Sequence, residues 1–290
     1  MVNVNAVDNF PKLGMVCSRF EEFFDKCGGR EVLREKTTSQ VCEEYLKPMT
    51  ISKGMSYCDI LLEEITATGD SHSDITVAPA TVFISHAWNS NFLEVVDAFI
   101  NHLTSNGQSD AVIWFDLFSN NQHQTSIRPF EWWCNTFQSA IRDFGHTILV
   151  LTPWRDPVPL TRAWCLWEIY SSVVMKSKLD IAIVASQQED FINALTEDFS
   201  SINKMVATID IKKSKAFKEE DRVRILQAVE QSEGGFIAVN QMVFQQIWQS
   251  LTAIAMQALS AADRSNIKTY SLMNSIARLL QDQGTIFLFC

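Results

Sequence analysis

An α/β fold built around a parallel sheet is what the sequence predicts, on three observations. Short runs rich in apolar, β-branched or aromatic residues recur at Thr81 to Ser85, Ala111 to Phe115, His146 to Leu151, Ile181 to Ala185 and Met205 to Ile211. The intervals between them, roughly 20 to 30 residues, are long enough for the crossover helix that parallel strands require. Helical spacing fills two of those intervals, through Phe92, Val95, Val96, Phe99 and Leu103 and again from Pro129 to Asp143. Five buried strands alternating with helices describe a flavodoxin-like, doubly wound, five-stranded parallel sheet over residues 79–211.

The flanks are predicted to be helical. In residues 1–78, Phe10 to Phe24 and Val32 to Leu46 carry apolar residues three and four apart, and Lys47-Pro48 stops the second run. A third run, Ser52 to Ile65, leads into a polar linker, Thr66 to Asp74. In residues 212–290, helices are expected at Phe217 to Val229, Met242 to Leu259 and Ile267 to Leu280, with Gly234-Gly235 breaking the first two apart. The apolar tail Gly284 to Cys290 is expected to dock as a strand or to lead into further chain, and Cys290 stands in the wrong place for a prenylation box.

Composition narrows the classes of function. With 290 residues, 47% apolar and 20% charged, the chain can bury a sizeable core. A net charge of −10 argues against a nucleic-acid-binding face, which needs clustered cations to neutralise phosphates. The seven cysteines are odd in number and form no CxxC pair, as expected of reduced thiols in a cytoplasmic setting. No histidine lies at ligand spacing from a cysteine, so no metal is expected. Neither a signal peptide nor a bilayer-spanning run is visible, and no solenoid repeat.

Polar residues gather among aromatics where the strands should end. Ser85, His86 and Trp88 follow the first strand; Asp116 ends the second and opens an amide-rich loop through His123. Phe130-Glu131-Trp132-Trp133 and the stretch Trp154 to Glu168 complete the set. Parallel strands all point one way, so Ser85, Asp116 and Thr152 should share one sheet edge, where open α/β sheets bind ligands. In the last stretch Thr161 should cap a helix carrying Trp164 and Glu168, four residues apart and therefore on one face. On spacing alone, the plainer reading of Trp164, Leu166, Trp167 and Ile169 is packing, with Glu168 solvated. Taken singly, His86 and His123 read first as hydrogen-bonded structural histidines and Asp116 as a cap of the next turn, while Cys165 is expected to be a buried structural thiol. Lys212-Lys213-Ser214-Lys215 is expected to be a solvated helix start.

Together, Phe83-Ile84-Ser85, Asp116, Phe137 to Ile141 and Trp164-Cys165-Leu166-Trp167-Glu168 resemble the Toll/interleukin receptor (TIR) domain in its usual order. More narrowly, Ser85-His86-Ala87-Trp88, Trp114 to His123 and Leu160 to Glu168 resemble a TIR-like module of protist proteins. The likeness covers roughly residues 80 to 210, and the Trp-to-Glu segment is its most specific part. It implies an NAD glycohydrolase that cleaves the nicotinamide–ribose bond to nicotinamide and ADP-ribose or its cyclic form. Glu168 would be catalytic, and Ser85, His86, Trp88, Asp116 and Trp164 would contact the substrate. NAD is then the substrate, no cofactor is required, and homo-oligomers form through the TIR-like domain. The receptor-type loop signature is replaced here by Ser119 to Pro129, which departs from receptor-style pairing. The alternative is a non-catalytic TIR-like signalling scaffold; a third reading is a flavodoxin-like nucleoside-binding relative such as a deoxyribosyltransferase.

Overall fold

The computed structural model describes residues 10–68, 76–124, 130–261 and 267–288. Six strands form one mixed sheet: β1 (Leu13–Val16), β2 (Val77–Pro79), β3 (Val82–Ser85), β4 (Val112–Trp114), β5 (His146–Leu151) and β6 (Lys178–Ile183), ordered β2-β1-β4-β3-β5-β6. Strand β3 runs parallel to β4, with Val82 opposite Ile113. Strand β1 is antiparallel to both its neighbours, pairing Met15 with Val77 of β2 and with Ile113 of β4.

The expectation of five parallel strands is therefore corrected in two places. Residues 205–211 form no strand: α11 (Phe199–Val206) buries Ile202, Met205 and Val206, and a turn and a short 3₁₀ segment (Ile211–Lys213) follow. Spacings of three and four fix one helical face and override the local alternation. In addition, Phe10 to Phe24 is not one helix. It divides into β1 and α1 (Ser18–Lys26), and β1 joins the sheet.

Contacts divide the chain into two compact units. One comprises Met1–Ile148 with Val174–Lys178, the other Leu149–Val173 with Leu179–Cys290. In the first, α1, α2 (Arg30–Leu33), α3 (Thr38–Val41), a π-helical turn (Cys42–Leu46), α4 (Lys47–Thr50) and α5 (Tyr57–Thr68) precede β2. The helical chain thus continues past Pro48, which falls in the first turn of α4 directly after the π-helical turn. After β3 come α6 (Phe92–Ser105), α7 (Asp116–Ser119) and α8 (Phe130–Phe144). The core here is aromatic. Phe23 meets Phe118 edge-on at 4.7 Å, Phe20 meets Phe99 at 5.3 Å, and Phe83 stacks on Trp114 at 5.0 Å. Such pairs add roughly 0.5–1.5 kcal/mol each beyond the burial of their area.

The second unit holds α9 (Ala163–Val174), α10 (Ala185–Glu197), α11, α12 (Glu219–Gln231), α13 (Gly235–Ala261) and α14 (Ile267–Leu288). Helix α14 runs on to Leu288, so residues 284–288 are helical rather than a docked strand, and Cys290 lies outside the described residues. Most of the expected polar linker, 69–74, lies outside them too. Buried Trp248 of α13 donates its indole N–H to the Leu279 carbonyl at 2.9 Å, joining the two longest helices. No helix among the described residues is long and apolar enough to cross a membrane.

Candidate functional site

The residues singled out by sequence fall into two groups, one in each unit. Ser85, His86, Trp88 and Asp116 belong to the first, Trp164 and Glu168 to the second.

In the first unit the structure brings its group together. Ser85 ends β3 fully buried, and the His86 ring that follows stacks on Phe115 with centroids 4.6 Å apart. Asp116 opens α7 directly after that phenylalanine. Its carboxylate accepts the Trp88 indole N–H at 2.5 Å and lies 4.0 Å from His86 Nδ1. Asp116 thus joins the loops that leave β3 and β4. Gln122 reinforces the second loop by donating to the Asp116 carbonyl at 2.7 Å and the Leu117 carbonyl at 3.1 Å.

A segment that sequence reasoning left without a role covers these loops. The backbone N–H of Ser39 donates to the Trp88 carbonyl at 3.0 Å, and that of Thr38 to Ser90 at 3.2 Å. The Asn91 amide donates to the Arg34 carbonyl at 2.6 Å, and Phe92 N–H to Lys36 at 2.9 Å. Further along, Thr50 Oγ1 stands 2.9 Å from His123 Nε2, and the Asn121 amide donates to Gly54 at 2.6 Å. Residues 34–54 therefore line the strand ends predicted to open onto a ligand. One signal was readable: Thr37 and Gln40 form a reciprocal capping box, which marks a fresh helix start inside what periodicity joins into one helix. Burial keeps the thiols near this seam protonated. The Cys42 thiol is pushed up to about 12, chiefly by desolvation and further by Asp116, and Cys58, beside Ser119, is likewise pushed to about 12.

In the second unit Trp164 and Glu168 lie one turn apart on α9 and both side chains are half-buried. Thr161 does not cap this helix. Its hydroxyl donates instead to the Val158 carbonyl at 2.8 Å, closing a 3₁₀ turn (Val158–Thr161) ahead of α9. The start of α9 is met from the C-terminal region: Ala163 N–H donates to the Lys215 carbonyl, and Lys215 N–H to Thr161, both at 2.8 Å. The Trp164 indole N–H points to Asp221 Oδ2 at 3.4 Å. Cys165 is buried, as expected of a structural thiol. Trp167 Nε1 and Ser171 Oγ, also one turn apart, are buried without hydrogen-bond partners, an arrangement that usually costs about 1–3 kcal/mol per group. The side chains of Phe130, Glu131, Trp132 and Trp133 lie outside the described residues. No cluster of His, Cys, Asp and Glu among the described residues has the geometry to hold a metal ion. Compared with family models, curated proteins and solved structures, the chain finds no match.

Proposed function

We propose that this chain is a TIR-like NAD glycohydrolase with Glu168 as its catalytic carboxylate. The observation that carries the reading is the placement of Glu168 and Trp164 on one side of α9, the α-helix that follows β5 in the chain, with neither side chain sealed in the core. Two features add support. The strand order β4-β3-β5-β6 follows the 2-1-3-4 sequence of a flavodoxin-like sheet, and α9 retains two unmet buried polar groups beside Glu168, the kind of cost that functional positions tolerate.

The chemistry asks little of the protein. As the nicotinamide–ribose bond breaks, its electron pair passes to the pyridinium nitrogen and nicotinamide leaves neutral, so no general acid is needed. The ribose becomes oxocarbenium-like. A fixed carboxylate stabilises that charge, water adds at the anomeric carbon, and one proton is released with ADP-ribose. On this reading Trp164, one turn before Glu168 on the same helix, flanks the substrate. Self-association through the TIR-like domain activates turnover, so specific activity rises with protein concentration.

The test is NAD consumption by the purified chain at high concentration, compared with Glu168→Ala shown to be folded. Loss of one preorganised electrostatic group should lower turnover by at least about 100-fold. A second reading, a non-catalytic interaction module, is favoured by one observation: Asp116 accepts the Trp88 indole N–H and stands 4.0 Å from His86 beneath residues 34–54. Absence of turnover in both proteins, at concentrations that drive assembly, selects that reading.

A further inference from the structure

The turn between residue 211 and α12 combines charge and exposed apolar surface in a way that folding alone does not call for. Residues 212–218 carry four lysines, Lys212, Lys213, Lys215 and Lys218, all exposed, and among them Phe217 is 92% exposed. Leaving a phenylalanine in water forgoes burial worth about tenfold or more in an equilibrium constant. Ile237, in the first turn of α13, is 73% exposed, and its neighbour Phe236 lies beneath Lys212 Nζ at 4.6 Å.

The turn is fixed, so Phe217 is held outward. Lys215 is paired through its backbone to Thr161 and Ala163. Arg222 donates to the carbonyls of Lys212 at 2.8 Å and Ser214 at 2.7 Å, and the Ile211 amide donates to Asn240 at 3.0 Å. Lys213 is offset by Asp210 at 2.9 Å and Arg222 by Glu219 at 2.8 Å. Six cations and four carboxylates occupy residues 210–224, a local excess of positive charge in a chain of net charge −10.

We propose that this turn docks on an anionic phospholipid surface, with the lysines among the headgroups and Phe217 inserted at the interface. A side chain exposed on nearly all its surface has no protein wall against which a peptide could press it. A nucleic-acid base would stack on only one of its faces, whereas a lipid interface surrounds it. The opposing charge of the rest of the chain is screened within a Debye length of about 8 Å at physiological salt, so the basic turn governs close contact. One wedge and a few lysines give reversible, salt-sensitive docking rather than permanent anchorage. The inference does not depend on the chemistry proposed for Glu168.

The test is co-sedimentation of the full chain with vesicles of phosphatidylcholine alone and of phosphatidylcholine with 30% phosphatidylserine, at low and raised salt. Binding is expected only to the anionic vesicles, weakening as salt rises. Phe217→Ser should reduce it by about tenfold. Lys215→Glu and Lys218→Glu should each reduce it by at least about fivefold, since each lysine near the surface is worth about that much. Unchanged circular dichroism establishes that the variants are folded. Equal binding to neutral vesicles, no binding at all, binding untouched by these substitutions, or preferential binding to a single-stranded RNA oligomer would each overturn the proposal.

Discussion

Gly14→Ala tests the placement of β1 by the sign of its effect. Strand β1 lies between two strands, and a Cβ built at Gly14 would stand 2.4 Å from the Ile113 carbonyl oxygen and 2.7 Å from its carbon, with Ala80 Cβ at 3.0 Å. The first two atoms are backbone of β4, whose opposite edge is bound to β3, so they cannot give way as a side-chain tip would. Overpacking of this kind costs about 1–3 kcal/mol, and displacing β1 from β4 weakens hydrogen bonds worth about 1 kcal/mol each. A loss of about 3 kcal/mol is expected. With a urea m-value of about 3 kcal/mol/M, the midpoint should fall by about 1 M. In a helix over residues 10–24 the same substitution would stabilise by about 1 kcal/mol, because alanine is the better helix former. The assay is urea denaturation read by hydrogen exchange in peptides covering residues 10–24 and 112–115. A midpoint unchanged or raised would refute the strand placement.

Three further outcomes follow from the polar contacts. In a double-mutant cycle of Trp88→Phe and Asp116→Asn, each single change should destabilise by about 1–2 kcal/mol, because the indole donates to a carboxylate; coupling below about 0.5 kcal/mol would count against a direct bond. Burial lifts Cys27 to about 11 and both Cys42 and Cys58 to about 12, so at pH 8 these thiols should resist iodoacetamide until denaturant is added, as mass spectrometry of the labelled peptides would show. Their stabilising contribution is complete below the unfolded value near 9 and is lost as pH rises through 11 to 12. Asp190 is held below the usual carboxylate range by hydrogen bonds from Arg155 first and Trp154 second. Its contribution is present above about pH 4 and lost as pH falls through the lower folded value, so Arg155→Ala should lower the thermal midpoint most near pH 7 and by less as pH falls below 4.

Legibility in the sequence followed the range of the interactions that decide each element. Strands β3, β4 and β5 and helices α6 and α8 were visible because a continuous apolar run or a 3.6-residue period is written into the element itself. Strand β1 was not. Phe10, Leu13, Val16, Phe20 and Phe23 recur at spacings of three and four and imitate a helix, while the partners that make Leu13–Val16 a strand lie far along the chain, at Val77–Pro79 and Val112–Ile113. Strand β2 has only three residues and ends on Pro79, which an edge strand tolerates and a pattern search discounts. At the candidate site, the shared face of Trp164 and Glu168 followed from their spacing. The cover formed by residues 34–54 did not, because it rests largely on backbone amides and carbonyls, groups that every residue carries and no residue type advertises.

The same limit explains why the C-terminal region matters more to α9 than its sequence suggests. Helix starts leave amide hydrogens unpaired, and the sequence offered Thr161 as the residue to satisfy them. In the structure that hydroxyl is turned back to Val158, and the Ala163 amide is met by the Lys215 carbonyl some fifty residues later. Asp221, beyond the same turn, then receives the Trp164 indole N–H. The helix carrying Glu168 is therefore set from two directions, by the 3₁₀ turn before it and by the strand-like bridge between Arg162 and Lys215. Because the bridge anchors the turn that holds Phe217 outward, a force on that turn acts first on Thr161 to Ala163. The first turn of α9, rather than the carboxylate itself, is where docking and chemistry would meet.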